Sequence, residues 1–395
     1  MTTAVRLRDV GSTYGGLTGK TRADFGTGDA SFVTFLEVIN NTRLHGTSLE
    51  RVRVARGERQ NRVMRQDLLF NGSSETPEEV ALSAIVDFEP TTDTFLNSFC
   101  FGFRLRQTET VNPAYLAYFF RSPSGRSLVA SLAQGATRYN IAKTKFLDVE
   151  IALPSPERQR QIVEFLEDAD DLISTLERLI AKKQAIKQGM IQQLLTGRTR
   201  LPGFDDDWTE TKLSQVLSFE VGFPFRSEFF IDTPQGMRLV RNRDLKEQNS
   251  RTYYYGPFAD SYVVTDGDVL IGMDGDFSPC LWRGGRALLN QRVGRLRVNG
   301  CSSRYMYYAL AAPLSALEAG TGATTVKHLS HADVEKLRLV LPSIEEQDAI
   351  ARTLGDIDAE ILILHARLAK ARAIKTGMMQ QLLTGRVRLP VEVSA

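Results

Sequence analysis

Arginine is concentrated in two short stretches of this sequence, and it occurs there in a pattern typical of surfaces that grip nucleic acid. A guanidinium can bridge phosphates or bind a guanine edge with two hydrogen bonds, and a tyrosine ring can stack on a base or donate to it. We therefore predict DNA contacts at these positions, with a solvated charged surface as the alternative. Glu58 is the only acidic residue within the first stretch, and the second stretch leads into a run of tyrosines. The candidates are Arg51, Arg53, Arg56, Arg59, Arg62, Arg65, Arg238, Arg241, Arg243 and Tyr254.

Three segments resemble parts of enzyme motifs without completing them. Gly15–Thr21 has three residues between Gly15 and Gly19 where a phosphate-binding loop needs four. Phe25–Gly28 and Asn112–Tyr115 resemble the cofactor loop and the catalytic tetrapeptide of amino-methyltransferases, but the first lacks a spacer residue and the second lacks a proline. The four histidines are scattered, and we predict no metal ligands and no catalytic residues in this chain.

The elements that must position these arginines are set by an internal duplication. Residues 153–202 and 341–390 align without a gap, and 28 of the 50 aligned positions are identical. The segments before and between the two copies, 1–152 and 203–340, are far less alike. The sequence therefore predicts two different domains held by one repeated frame.

Each copy is expected to form a helix of about forty residues, roughly 60 Å long. Ser155 precedes Pro156 at one start, Ser343 and Glu346 match a capping box at the other, and Thr-Gly follows at both ends. Apolar residues step by 4 and 3 along both copies, which predicts a coiled-coil seam. A pseudo-two-fold axis would make the pair antiparallel and put the two domains at opposite ends. The alternative is that each helix packs on its own neighbouring domain. The seam positions are Ile162, Leu166, Ala169, Ile173, Leu176 and Ile180 in the first copy and Ile350, Leu354, Ile357, Ile361, Leu364 and Leu368 in the second.

The two variable segments are predicted to be mixed α/β, which gives the whole chain an α+β fold class. Short β-like runs such as Ser31–Ile39, Met237–Val240 and Asp268–Ile271 are broken by Gly, Pro, Asn and Asp. Helices are expected at about 112–133 and 304–318. Weak correspondences, such as Gly-Ala-Thr at 135–137 and 322–324, indicate diverged copies of one fold.

Composition is that of an ordinary globular chain. It has 395 residues, 42% hydrophobic and 24% charged, and a net charge of +2, so any basic surface must come from local clustering. Three widely spaced cysteines predict neither a disulfide framework nor a zinc site. With no apolar run long enough to cross a membrane, we expect a cytoplasmic protein.

A set of short sequence markers that occurs twice in the same order closely resembles that of the specificity subunits of type I restriction-modification systems. Gly-Ala-Thr, then Leu-Pro-Ser-x-x-x-Gln-x-x-Ile, then a long helix ending in Gln-Gln-Leu-Leu-Thr-Gly occur twice, at 135–197 and 322–385. The resemblance implies target recognition domains at 1–152 and 203–340, and spacer helices at 153–202 and 341–395.

The same resemblance implies which partners this chain binds and which subunits carry out catalysis. Two methyltransferase subunits would dock on the helices, restriction subunits would join through them, and S-adenosylmethionine, ATP and Mg would be used by the partners, with no cofactor in this non-catalytic chain. Each domain would read one half of an asymmetric site, with half-site centres about 10 base pairs apart. A stand-alone methyltransferase or nuclease, and a scaffold that joins proteins through its helices, are the alternatives.

Overall fold

The computed structural model describes residues 2–320 and 328–383. The chain folds into two compact units. The first unit is Met1–Glu177 with Ala366–Ala395, and the second is Arg178–His365. Each boundary cuts through a long helix, so each unit contains one variable segment and part of both helices. The second Gly-Ala-Thr and the second Thr-Gly lie outside the described residues.

The first variable segment contains twelve strands and five short helices among the described residues, followed by the first long helix. The strands are β1 (Thr3–Arg6), β2 (Gly11–Gly15), β3 (Phe25–Val33), β4 (Arg43–Leu44), β5 (Glu50–Val52), β6 (Leu68–Asn71), β7 (Ser73–Ser74), β8 (Ser83–Val86), β9 (Thr94–Leu96), β10 (Cys100–Leu105), β11 (Tyr139–Asn140) and β12 (Glu150–Leu153). The helices are α1 (Leu7–Val10), α2 (Phe35–Asn40), α3 (Pro113–Arg121), α4 (Pro123–Ala130), α5 (Lys143–Leu147) and the long α6 (Pro156–Leu194), with 3-10 turns at Arg22–Asp24 and Pro77–Glu79.

The second variable segment follows the same plan and leads into the second long helix. Its strands are β13 (Thr209–Lys212), β14 (Leu217–Val221), β15 (Phe230–Ile231), β16 (Met237–Val240), β17 (Tyr253–Tyr254), β18 (Val263–Val264), β19 (Val269–Gly272), β20 (Pro279–Leu281), β21 (Ala287–Leu289), β22 (Val293–Val298) and β23 (Arg338–Leu341). Its helices are α7 (Ser303–Ala309), α8 (Ala311–Gly320), α9 (His331–Glu335) and the long α10 (Ile344–Leu382), with 3-10 turns at Leu213–Gln215, Ser227–Phe229, Asn242–Asp244 and Asp260–Tyr262.

Matching sheets confirm that the two variable segments share one fold. The first has the strand order β2-β10-β6-β8-β4 and the second β14-β22-β19-β20, with the first three strands of each antiparallel to their neighbours. The first strand of each segment also pairs antiparallel with its last, Thr3 opposite Leu153 and Thr209 opposite Leu341. Each domain is thereby closed at the base of a long helix.

The predicted long helices are confirmed, each with 39 residues. Several shorter elements differ from their predictions for local reasons. Ser31–Ile39 is not one strand, because the Thr34 hydroxyl accepts from the Glu37 N–H and starts α2. The helix predicted at 112–133 is broken at Ser122, which precedes Pro123 and caps a second helix, and α7 and α8 divide the helix predicted at 304–318.

The capping box predicted at Ser343 and Glu346 is only half formed. The Ser343 hydroxyl accepts from the Glu346 N–H at 3.4 Å. The Glu346 carboxylate instead accepts two hydrogen bonds of 2.7 Å from Arg200 and one of 3.1 Å from the Trp208 indole. A buried carboxylate is better compensated by a guanidinium than by a backbone N–H, so the chain after α6 is tied to the start of α10 within the second unit.

Each unit has a hydrophobic core that takes in the ends of both long helices. The first core surrounds Phe70, Phe101 and Phe146 and includes Leu166 from α6 and Leu382 from α10. The second core surrounds Phe277, Tyr305 and Met306 and includes Leu354 from α10 and Leu194 from α6. The long helices are therefore held by the domains as well as by each other.

Candidate nucleic-acid interface

The arginines of the first stretch lie on the long loop between β5 and β6, except Arg51, which lies in β5 itself. Arg53 is paired with Asp24 at 3.2 Å and Arg62 with Asp93 at 2.9 Å. Within the described residues no ion-pair partner is found for the other four, all of them exposed, which are Arg51, Arg56, Arg59 and Arg65. These four guanidinium groups are free to bind an external anion.

Glu58 holds this loop in place. Its carboxylate accepts from Lys20 Nζ at 2.6 Å, from the Ala55 N–H at 2.9 Å and from the Gln60 amide. These hydrogen bonds, led by that of Lys20, lower the pKa of Glu58 to about 2, so the carboxylate is ionised at neutral pH. Gln60 also exchanges two hydrogen bonds with the backbone of Thr18. The segment Gly15–Thr21, which resembles a phosphate-binding loop, therefore anchors the loop between β5 and β6, here called the arginine loop. Lys20 is bound to Glu58 of that loop.

A buried carboxylate fixes the far end of the same loop. Asp67 accepts two hydrogen bonds from Arg104, at 2.8 and 2.7 Å, and one from the Tyr14 hydroxyl at 2.6 Å. Burial, followed by the charge of Asp67, raises the pKa of Tyr14 well above its usual value, so this hydroxyl remains a donor. Arg104 also donates to the Arg62 carbonyl. The loop thus presents its free arginines from a rigid backbone.

In the second domain the predicted residues are placed differently. Arg238 donates to the Gly284 carbonyl, and Arg241 binds Asp244 and the Thr252 hydroxyl, so both are engaged internally. Arg243 is exposed, with no ion-pair partner in the described parts of the chain.

Tyr254 lies in the core rather than on the surface. It is 3% exposed, packs against Phe225 and donates to the Pro257 carbonyl. Its neighbour Tyr255, which directly follows the strand β17, is exposed. Tyr255 is thus the most exposed tyrosine of this run, and Tyr253 is half-buried.

A polar cluster beside Arg243 was not found by sequence reasoning. Asp274 accepts from Arg292 at 3.2 Å and lies 3.0 Å from Nδ1 of His328, and the Asn242 amide donates to its carbonyl. The sequence predicts His328 only as a surface residue, because its partner is 54 positions away. In the described residues no group of three or more His, Cys, Asp or Glu side chains is placed to hold a metal ion.

The long helices contact each other in antiparallel orientation within each unit. In the first unit Asp170 pairs with Lys375, and Glu177 pairs with Arg372 at 2.6 Å. In the second, Lys183 pairs with Glu360, and Lys187 pairs with Asp358 at 2.6 Å. In both, the residue farther along α6 meets the residue earlier in α10.

The predicted seam is partly a helix pair and partly a helix-to-domain contact. Ile162 and Leu166 lie in the first core, and Ile350 and Leu354 lie in the second, so both of the arrangements considered from the sequence occur. The buried seam residues are Ile162, Leu166, Leu176, Ile180, Ile350, Leu354 and Leu368, and the half-buried ones are Ala169, Ile173, Ile357, Ile361 and Leu364.

One face of α6 carries a stripe of exposed apolar residues. Phe165, Leu172, Leu179 and Ile186 recur every seven residues and are 41–47% exposed. The aligned positions of α10 are Thr353, Glu360, Arg367 and Ile374, so the stripe belongs to α6 alone. No helix in the described part of the chain is long and apolar enough to span a membrane.

Comparison with known proteins gives one consistent family. The family model described as the type I restriction modification DNA specificity domain matches twice, over residues 5–188 and 205–372. The type I restriction enzyme EcoBI specificity subunit of Escherichia coli is 36% identical over 200 residues, which are 50% of this chain and 42% of that one. This match therefore spans less than half of that relative's length. The putative type I restriction enzyme MjaX specificity subunit of Methanocaldococcus jannaschii is 25% identical over 393 residues, covering 90% of this chain and 87% of that one.

Solved structures show the same fold. The S subunit of a type I restriction-modification system from M. genitalium superposes with a TM-score of 0.65 at 12% identity, covering 97% of this chain and 96% of that one. A chain from a structure of the assembly and conformational transition of the type I R-M system gives a TM-score of 0.55 at 17% identity, with 98% of both chains covered.

Proposed function

The chain belongs to the family of type I restriction modification DNA specificity domains, and from that premise we propose that it reads a two-part DNA site for a methyltransferase and restriction complex. Each recognition domain binds one half-site, and because the two domains differ in sequence, the two half-sites differ as well. The observation that carries this proposal is the set of four exposed arginines with no ion-pair partner in the described structure, one on β5 and three on the braced loop between β5 and β6.

The free arginines suit DNA for a physical reason. An arginine already paired with a carboxylate must break that pair before it binds phosphate, whereas Arg51, Arg56, Arg59 and Arg65 break none in the described structure. The backbone that carries them is fixed by the pairing of β5 with β3 and by the contacts of Glu58 and Asp67, so little backbone entropy is lost when DNA binds. Phosphate contacts set the register on the duplex, and contacts to base edges in the major groove give sequence specificity.

The helix pair sets the distance between the half-sites. The antiparallel ion pairs hold α6 and α10 in one register within each unit, and a heptad of helix adds about 10.5 Å, the length of about three base pairs.

Inserting one heptad into both helices is expected to lengthen the unread spacer by about three base pairs while both half-sites stay the same. Insertion of seven residues into an exposed domain loop is the control. A spacer that does not change after the helix insertions would refute the role of the helices as a ruler.

The exposed stripe on α6 supports docking of partner subunits. A heptad-spaced apolar face is the surface that a further helix covers in a helical bundle. We assign this surface to a helix of a methyltransferase subunit, with two such subunits in the complex and restriction subunits joining through them. This chain is non-catalytic, and the partners use S-adenosylmethionine, ATP and Mg.

One experiment tests the recognition function. The chain is co-expressed with its methyltransferase subunit, and methylated adenines are mapped across a host genome. An asymmetric two-part motif that depends on both proteins is the expected result. The chain acting as a protein scaffold only would give methylation without a two-part motif, and a stand-alone enzyme would give methylation without the partner.

A further inference from the structure

The first recognition domain is attached to both long helices at one point. The Tyr118 hydroxyl, on α3, donates to Asp170 Oδ2 on α6 at 2.8 Å. Lys375, on α10, pairs with the other oxygen of the same carboxylate, and its Nζ lies 5.6 Å from the centre of the Tyr118 ring. One carboxylate therefore joins the domain, the first helix and the second helix.

The second domain repeats this arrangement with the roles of the helices exchanged. The Tyr308 hydroxyl, on α7, donates to Asp358 Oδ2 on α10 at 2.7 Å, and Lys187 on α6 pairs with Asp358 Oδ1 at 2.6 Å. Lys187 Nζ also lies 5.6 Å from the centre of the Tyr308 ring. Both Asp358 and Lys187 are 188 residues from their counterparts in the first unit. The structure thus contains two copies of one clasp, Tyr118–Asp170–Lys375 and Tyr308–Asp358–Lys187.

A glutamine three helical turns earlier gives each domain a second attachment. Gln159 accepts from the Asn112 N–H at 2.8 Å, and Gln347 accepts from the Ser302 N–H at 2.9 Å. These acceptors precede Asp170 and Asp358 by eleven residues each, about 16 Å along the helix. Two hydrogen-bonded attachments that far apart, added to the apolar packing of Leu166 and Leu354 in the domain cores, restrict how each domain is oriented on its helix. In the first domain Arg43 on β4 also pairs with Glu167 on α6 at 2.9 Å.

The clasps differ from the other ion pairs between the helices in their burial. The side chains of Lys375 and Asp170 are 19% and 31% exposed, whereas those of Arg372 and Glu177 are 60% and 47% exposed. Burial, with the nearby carboxylate second, raises the pKa of both clasp tyrosines, so their hydroxyls stay protonated and keep donating. Leaving a partly buried carboxylate unpaired costs more free energy than leaving an exposed one unpaired. The clasp therefore favours the one helix register in which Asp and Lys meet over registers shifted along the helices.

We infer that the two clasps are positioning devices that fix the angle of each recognition domain on its helix pair, and so set how strictly the protein discriminates spacer length. This inference rests on the proposed function. None of the six residues reads a base. They act by limiting the range of orientations in which both domains engage DNA together.

The test measures methylation by the complex of this chain with its methyltransferase subunit, on DNA whose spacer is the cognate length or one base pair longer or shorter. Y118F and Y308F each remove one hydroxyl and leave the ring. We expect each to lower the preference for the cognate spacer about tenfold, which corresponds to about 1.4 kcal/mol, with both half-site sequences unchanged. K375M, which leaves the tyrosine bound to Asp170, is expected to have a smaller effect.

Two controls match these changes. Y254F removes a tyrosine hydroxyl that donates to the Pro257 carbonyl in the core of the second domain and does not reach a long helix. E177Q removes an exposed ion pair between the helices that does not touch a domain. Both controls are expected to keep the cognate preference within about twofold.

The outcomes separate the inference from the function on which it rests. If Y118F and Y308F assemble and methylate the same half-sites with unchanged spacer preference, the clasps only add stability and the inference is wrong. If the wild-type complex methylates no two-part site, the proposed function itself fails. If one tyrosine variant does not assemble, the other decides, because each clasp lies in its own unit.

Discussion

Removing two of the free arginines gives a quantitative test of the DNA interface. Arg56 and Arg59 lie on either side of the Glu58 anchor, both are exposed, and neither has an ion-pair partner in the described structure. The double variant R56A/R59A therefore removes two positive charges from the surface without breaking the contacts that hold the loop.

The expected size of the effect follows from counterion release. Each phosphate contact contributes about 0.9 to the slope of log K against log salt concentration, so loss of two lowers the slope by about 1.8. Over a rise from about 50 to about 200 mM salt, the wild-type complex should then lose about twelvefold more affinity than the variant.

The assay is fluorescence anisotropy of labelled duplex DNA with the complex of this chain and its methyltransferase subunit, titrated at several salt concentrations. R160A, which removes an exposed arginine from α6, is the matched control and should leave the slope unchanged. A variant slope equal to that of the wild type would show that these arginines do not meet phosphate. A changed methylation motif with an unchanged slope would mean that they read base edges instead.

Three further predictions concern packing, docking and pH. L166A should destabilise the first unit by about 3 kcal/mol in urea unfolding, because Leu166 is fully buried, whereas L172A should cost under about 0.5 kcal/mol. L172E/L179E should abolish co-elution with the methyltransferase subunit in gel filtration at unchanged melting temperature, and retained co-elution would exclude the α6 stripe. Because the pKa of Glu58 is lowered to about 2, its stabilisation of the arginine loop is complete above about pH 4.5 and is lost as the pH falls towards 2. The protection factor of the Ala55 N–H, which is the exchange rate of an unstructured chain at the same pH divided by its own exchange rate, should fall over that interval, and E58Q should show a low protection factor already at pH 7.

The repeated frame could be predicted because its signals are local and occur twice. Heptad spacing, a serine before the helix start and a glycine after the end are present in both copies and are all read within a few residues, and the two 39-residue helices agree with them. The antiparallel contacts followed from the symmetry of two equal copies.

The side-chain partners could not be predicted, because they come from distant parts of the chain. Asp24 and Asp93 neutralise two of the predicted arginines from loops 29 and 31 residues away. Tyr118 and Tyr308 were missed as clasp residues, although a Tyr-x-x-Tyr pattern in both domains was a visible signal. Tyr254 was placed on the surface because the register of its strand could not be known from the residues alone.

The pairing of the first and last strands has a consequence for how such a protein can change. The chain arrives in each domain on β1 or β13 and departs on β12 or β23, so the two crossing points are neighbours. Antiparallel partners lie about 5 Å apart, and a segment cut out between them leaves a gap that another domain with the same two ends can fill. Each domain can in this sense be replaced by another domain with the same two ends, without a change in α6 or α10.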